Sequence, residues 1–356
     1  MRQILSIQYL RAIAAVLVVA LHSTIVIRRD YAPEFPMFTT GEFGVDIFFV
    51  ISGFIMWTIA AEKPTTPAAF LERRIIRIVP LYWAVTIPTA FISTDAGLTF
   101  VLPDPWSLAR SFLFIPEWNE KLAMAAPIVF VGWTLNLEMF FYAVFAAALF
   151  LPPRARLVAV VFLLMTLASA RLFIGVSEHA AVNLYTKSLV GEFAFGMLLG
   201  FAYQKGFARA AEGGWRLGIL LVALGAAATL FRDELTPARL IHFGVPALLV
   251  VAGALLLEPQ VARRPLRGLK FLGDASYSIY LVHIMAQAVS LKFIGPALGA
   301  SAPALAVLAQ TLFACLAGGI AHVMLEKPLT RGAAKLVESV KKRRRSAAKA
   351  ALTPAE

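Results

Sequence analysis

Arg11 and His22 lie inside one unbroken apolar run, Leu5–Ile27. An ionisable group at membrane depth costs several kcal/mol, so such residues are candidates for function. They are eleven residues apart. At ~100° and ~1.5 Å per residue, that spacing brings both side chains to within about 20° of one helix face, about 16 Å apart along the axis. One helix would then carry a fixed cation towards one side of a bilayer and a titratable base towards the other. A snorkelling arginine and a hydrogen-bonded core histidine fit the same two residues.

The next polar residues extend the pattern. Asp46 opens a second apolar run, in Gly44-Val-Asp46-Ile-Phe-Phe-Val-Ile-Ser52-Gly53-Phe54, at the depth of His22. A carboxylate there would fix the imidazole tautomer and stabilise the imidazolium, although a plain buried ion pair is equally available to it. Gly44 and Gly53 mark places where another helix or a ligand could come close. Arg73-Arg74-Ile75-Ile76-Arg77 follows, and on a helix Arg74 and Arg77 share a face. Guanidinium groups so placed suit a phosphate-rich cytosolic ligand, and the positive-inside rule alone would also put them there. Glu138, Glu192 and His283 fall within later apolar runs, and His322 precedes Glu326-Lys327-Pro328. A single cysteine, Cys315, excludes an intrachain disulfide and a cysteine-rich metal site.

The composition says what must position these residues. Apolar residues make up 60% of the 356, charged residues 15%, and mean hydropathy is +0.76. Soluble domains sit at roughly 45–50% and 25%, so this chain takes lipid as its solvent and is not a string of soluble domains. The net charge of +12 matters less for its size than for where it falls. Ten runs have the length of a span: Leu5–Ile27, Phe43–Ala61, Ile78–Leu98, Ile128–Leu151, Leu157–Gly175, Asn183–Tyr203, Trp215–Phe231, Leu240–Leu257, Phe271–Ile294 and Pro303–Leu325. Trp106–Pro116 is too short to cross and reads as interfacial or re-entrant. Lys and Arg, including Arg2, Lys63, Arg154 and Arg209, gather in alternate connections, with fewer, such as Arg232, in the others. The positive-inside rule then places both termini in the cytoplasm. The expected fold class is all-α: a polytopic membrane helix bundle of about ten transmembrane helices. Residues 1–328 would form one transmembrane domain and 329–356 a basic cytoplasmic tail. Beside a final span, Lys341-Lys342-Arg343-Arg344-Arg345 suits anionic lipid better than nucleic acid.

In order, these residues resemble the acyltransferase-3 family of membrane acyltransferases, notably the bacterial exopolysaccharide and O-antigen O-acetyltransferases, over roughly residues 4–331. The resemblance is carried by Arg11 and His22, the Gly44–Phe54 string, Arg74-Ile-Ile-Arg77 running into Pro80-Leu-Tyr-Trp83, Trp133-Thr-Leu with Glu138, and Ser276-Tyr277-Ser-Ile-Tyr-Leu with His283. It implies transfer of acetyl, or another short acyl group, from cytosolic acyl-CoA to a glycan hydroxyl on the periplasmic face of the inner (plasma) membrane. Within it His22 is the catalytic base and Arg11 supports the acyl donor or the transition state. Asp46 orients His22 or meets the acceptor, Glu138 lines the cavity, and Arg73, Arg74 and Arg77 hold the CoA phosphates. Trp133, Tyr277 and His283 are further candidates for the lining. The implied partners are acyl-CoA as co-substrate, a polysaccharide or lipid-linked oligosaccharide, and membrane lipid. Nucleic acid, a metal and a bound cofactor are not implied. Transfer could run by direct attack or through an acyl-His22.

A proton-coupled transporter is the main alternative, because ten spans with intramembrane Asp, Glu and His describe such carriers too. Against it, the polar residues concentrate before position 138 rather than in two matching halves. A membrane scaffold in a polysaccharide export complex is a third reading, and it would not need a titratable His22.

Overall fold

The computed structural model of the chain describes residues 3–62, 65–93, 99–208, 214–230 and 239–351. Arg2, Lys63, Arg209, Arg232 and the ends of two expected spans, residues 94–98 and Phe231, lie outside them. The described residues are mostly helical, with only four short strands. Seven helical stretches among them are long and apolar enough to cross a membrane.

Helices α1 (Leu5–Asp30) and α2 (Phe43–Glu62) match the first two expected spans. The third departs from expectation: α3 runs Pro67–Phe91, eleven residues earlier than the apolar run alone indicated. Thr66 Oγ1 accepts the Ala69 amide at 3.2 Å and Pro67 fills the first turn, so a complete start signal precedes the arginines. Arg73, Arg74 and Arg77 therefore sit on the opening turns of a helix rather than in a loop. Helix α4 (Pro105–Phe112) is capped by Asp104, whose carboxylate accepts the Ser107 amide at 2.7 Å, and it is too short to cross. Two small antiparallel hairpins flank it, β1–β2 (Ile92–Ser93, Thr99–Phe100) and β3–β4 (Trp118–Asn119, Met124–Ala125).

A 3₁₀ turn, Phe130–Gly132, leads into α5 (Trp133–Ala148), followed by α6 (Pro153–Ile174). The expected span Asn183–Tyr203 is divided into α7 (Ala180–Tyr185) and α8 (Val190–Gln204), the break falling at Thr186–Leu189 around polar Lys187 and Ser188. Helices α8 and α9 (Gly214–Ala228) have 15 residues each. At ~1.5 Å per residue they reach about 22 Å, short of the roughly 30 Å hydrocarbon core. Then come α10 (Val245–Arg263), α11 (Arg267–Leu298), α12 (Pro303–Ala321) and α13 (Lys327–Ala351). Single π turns open α10 (Leu240–Gly244) and join α12 to α13 (His322–Glu326). Through Ala351 the expected tail is thus a helical continuation of the last span.

Helix α1 is the hub, packing on α11, α12, α2 and α10. Its first amides, Leu5 and Ser6, donate to the Glu258 carboxylate at 3.0 and 2.7 Å, so α10 supplies the negative charge that the α1 N-terminus favours. The close approaches expected at Gly44 and Gly53 are made by helices. A Cβ on Gly44 would stand 2.3 Å from the Ala14 carbonyl oxygen, and one on Gly53 2.1 Å from that of Phe193. Outward faces remain apolar: Phe162 and Phe173 on α6 and Leu312 and Leu316 on α12 are each at least 61% exposed, as lipid-facing residues should be. Gly53→Ala should cost about 1–3 kcal/mol through overpacking between α2 and α8. Thermal unfolding in detergent would show it as a lowered Tm, and an unchanged Tm would contradict this packing.

Candidate active site

Helices α1, α2, α3, α5, α11 and the π turn before α13 enclose a cavity of about 590 Å³. Its mouth is basic. Arg74 and Arg77 from α3 face it together with Lys327 and Arg331 from α13, and Asp274 and Glu326 partly offset them. Glu326 is held firmly: Ser278 Oγ donates to it at 2.6 Å, His322 Nδ1 lies 2.7 Å from the same oxygen, and Arg77 lies 3.2 Å from the other. Among the described residues, the buried Nε of Arg74 has no hydrogen-bond partner. Leaving a buried charged donor unmatched costs free energy, so the guanidinium suits an incoming anion. Arg73 is exposed, donates to Thr65 Oγ1 at 2.5 Å and does not line the cavity. Residues 73 and 74 are adjacent and so point about 100° apart on α3.

Arg11 enters the cavity wall among Arg77, Glu326, Glu138 and Asp274, and it donates to Gln8 Oε1 at 3.3 Å. Deeper in, Glu138 accepts from Tyr142 OH and, at 3.3 Å, from Ser52 Oγ. Tyr277 also lines the cavity and donates to the Ile78 carbonyl at 2.7 Å. Trp133 does not line it; Lys187 Nζ lies over that ring at 5.1 Å.

The cavity reaches Phe48, Thr134 and Tyr280, and the histidines lie in the next layer. Tyr280 OH meets Thr134 Oγ1 at 2.9 Å and donates to the Val131 carbonyl at 3.0 Å, while its ring lies against His283 with centroids 5.9 Å apart. His283 Nε2 lies 3.1 Å from His22 Nδ1. The carbonyl partners assign the protons. His283 Nδ1 faces the Tyr280 oxygen at 2.6 Å and His22 Nδ1 faces the Val18 oxygen at 3.0 Å. A carbonyl only accepts, so both Nδ1 atoms carry hydrogen; in the neutral rings His283 Nε2 shares the one His22 Nδ1 hydrogen with the Val18 carbonyl, and His22 Nε2 holds a lone pair with no hydrogen-bond partner among the described residues. Phe130 meets the His22 ring edge-on at 5.8 Å.

Asp46 takes a different partner from the one expected. It is fully buried, and Arg239 donates to it from Nε at 3.1 Å and from Nη2 at 2.8 Å, while Arg239 Nη1 reaches Glu42 at 2.5 Å. Glu192 stands beside the same group. His22 instead meets His283, which was expected to line the cavity. Arg239, just ahead of an apolar run, gave no local sign that it would reach Asp46, 193 positions earlier. The two π turns adjoin these charged clusters: Gly244 abuts Glu192, and His322–Glu326 contributes directly to the cavity wall.

Together these groups provide a basic pocket for an anionic ligand and, beyond one aromatic layer, an imidazole held through its Nδ1. Residues 4–322 match the acyltransferase-3 family model, an acyltransferase domain. The chain is 38% identical over 308 residues to exopolysaccharide production protein ExoZ of Rhizobium meliloti (strain 1021), covering 83% of this chain and 91% of that protein. It is 26% identical over 329 residues to acyltransferase MdmB of Streptomyces mycarofaciens, covering 82% of each. No solved structure matches it.

Proposed function

Because the chain belongs to the acyltransferase-3 family of membrane acyltransferases, we propose that it moves an acetyl or other short acyl group from cytosolic acyl-CoA to a hydroxyl of an exported or cell-surface polysaccharide. The observation that carries this reading is the succession of a basic cavity, the Tyr280 layer and the His22–His283 pair. The polysaccharide acceptor is favoured by the similarity to an exopolysaccharide production protein. In this reading α3 joins the seven long apolar stretches and the 15-residue α8 and α9 complete ten spans where the bilayer thins around them, with both termini and the cavity mouth on the cytosolic side of the inner membrane. Residues 329–356 then lie along its anionic surface.

Arg74 and Arg77 would bind the CoA phosphates as charge-assisted donors. The acyl-pantetheine arm would run past Arg11 and Glu138, and Tyr280 would move aside to let the thioester reach His22. His22 Nε2 would take the proton of the acceptor hydroxyl as its oxygen attacks the thioester carbonyl carbon. The C–S bond then breaks, and the CoA thiolate leaves with the proton held on His22. Arg11, about 16 Å along α1 from His22, lines the donor's route and would support acyl-donor binding there rather than the reacting carbonyl.

The test is free-thiol release from acetyl-CoA by purified protein in lipid nanodiscs. The acceptor is the host's extracellular polysaccharide, de-O-acylated with mild alkali. Acyl groups should appear on the glycan in step with thiol release. No transfer from acetyl-, propionyl- or succinyl-CoA would defeat the reading. Arg74→Ala should raise the KM for acetyl-CoA about tenfold, from about 1.5 kcal/mol for one lost charge-assisted contact, with a smaller change in kcat. An unchanged KM would remove Arg74 from the donor site.

A further inference from the structure

A second cavity, of about 360 Å³, lies between α4, the β3–β4 hairpin and residues 126–128, and α4 meets α3 at Trp83, whose indole donates to the Phe112 carbonyl at 3.0 Å. We propose that this cleft holds a sugar ring of the acceptor glycan, an inference that rests on the acyltransferase reading above.

The cleft has the chemistry a pyranose needs. Trp118 offers a half-buried indole, and an aromatic face packs well on the C–H face of a sugar ring. Around it stand the carboxylates of Glu117 and Glu120, the amide of Asn119 and the hydroxyl of Ser107, planar or short groups able to meet adjacent sugar hydroxyls. The charges balance. Glu117 is matched by Arg110 at 3.0 Å, and Lys121 lies beside Glu120 in the chain, so no excess of one sign calls for an ionic ligand. The basic cavity lined by Arg74 and Arg77 has the contrary character.

The walls are built to hold shape. Ser107 Oγ donates to Glu117 at 2.8 Å, and the Ala126 amide closes the hairpin on the Glu117 carbonyl at 2.9 Å. The Ile128 amide donates to Ser111 Oγ at 3.0 Å, which ties the floor to α4. From that floor the chain runs directly through Val129 into the turn Phe130–Gly132. Phe130 is the ring that meets His22 edge-on, and the Val131 carbonyl accepts from Tyr280. A glycan seated in the cleft is therefore held on the same short segment that contacts the catalytic base.

Binding is measured without turnover, by isothermal titration of nanodisc-embedded protein with oligosaccharides cut from the host's de-O-acylated polysaccharide. Trp118→Ala should weaken binding at least tenfold, and Trp118→Phe, which keeps an aromatic face, should restore most of it. Binding by Trp118→Ala at wild-type strength, or no binding by the wild type, would overturn the cleft. The transfer assay separates the two ideas. Glycan bound through Trp118 with no acyl transfer would sink the acyltransferase-to-glycan reading and leave the cleft standing. Transfer with an unaltered KM for glycan in Trp118→Ala would do the reverse.

Discussion

His22→Ala should lower kcat for glycan-dependent thiol release by about 10²–10⁴-fold, the usual worth of a positioned general base. The KM for acetyl-CoA should stay near the wild-type value, because the cations that face the basic cavity belong to α1, α3 and α13 and none of them touches His22. The loss is expected to be chemical rather than structural. His22 is only partly buried, and α1 keeps its packing on α2, α10, α11 and α12 without that imidazole. The measurement is single-turnover transfer with saturating acetyl-CoA, alongside acetyl-CoA binding and thermal unfolding of the same preparation. A variant that binds donor, unfolds at the wild-type temperature and still releases thiol at the wild-type rate would strip His22 of its role and leave His283 as the base.

The sequence carried the parts of this site that one helix determines by itself. Helices α1 and α2 begin and end where their apolar runs do. The joint placement of Arg74 and Arg77 follows from their spacing of three on a helix, and both line the cavity. Helix α3 starts ahead of its apolar run because its first turns carry charged residues, although Thr66 and Pro67 encode the N-terminus openly. What no local pattern reveals is which helices meet. Arg11 and His22 share a face by periodicity, yet Phe48 and Tyr280 line the end of the cavity and leave only Arg11 within it. Asp46 lay at a plausible depth for His22, but rotation about α2 turns it to Arg239. The His22–His283 contact depends on α1 packing along α11, where Gly273 lets the Gln8 carbonyl approach to 2.1 Å of an imagined Cβ. A lone glycine ahead of Ser276-Tyr277-Ser278 was the only trace of that in the sequence.

That contact decides the second large effect. His283→Ala should lower kcat about a hundredfold, of the order expected when a reacting group loses its alignment, with little change in the KM for acetyl-CoA. With His283 gone, His22 Nδ1–H keeps the Val18 carbonyl at 3.0 Å as a partner, but the ring loses the second anchor that holds its plane. His283 is thus a positioning residue: it touches neither cavity nor substrate and acts through His22. A side chain at 283 that only filled space would be replaced adequately by an apolar residue of similar size. A residue that orients His22 must instead present an acceptor where Nε2 stood. Gln does so with its amide oxygen, which reaches a position close to that of the imidazole Nε2. His283→Gln should therefore recover at least tenfold of the lost kcat, whereas His283→Leu should remain as slow as His283→Ala. Equal rates for Gln and Leu would mean that His283 only packs, and that the His22 tautomer is held by Val18 alone.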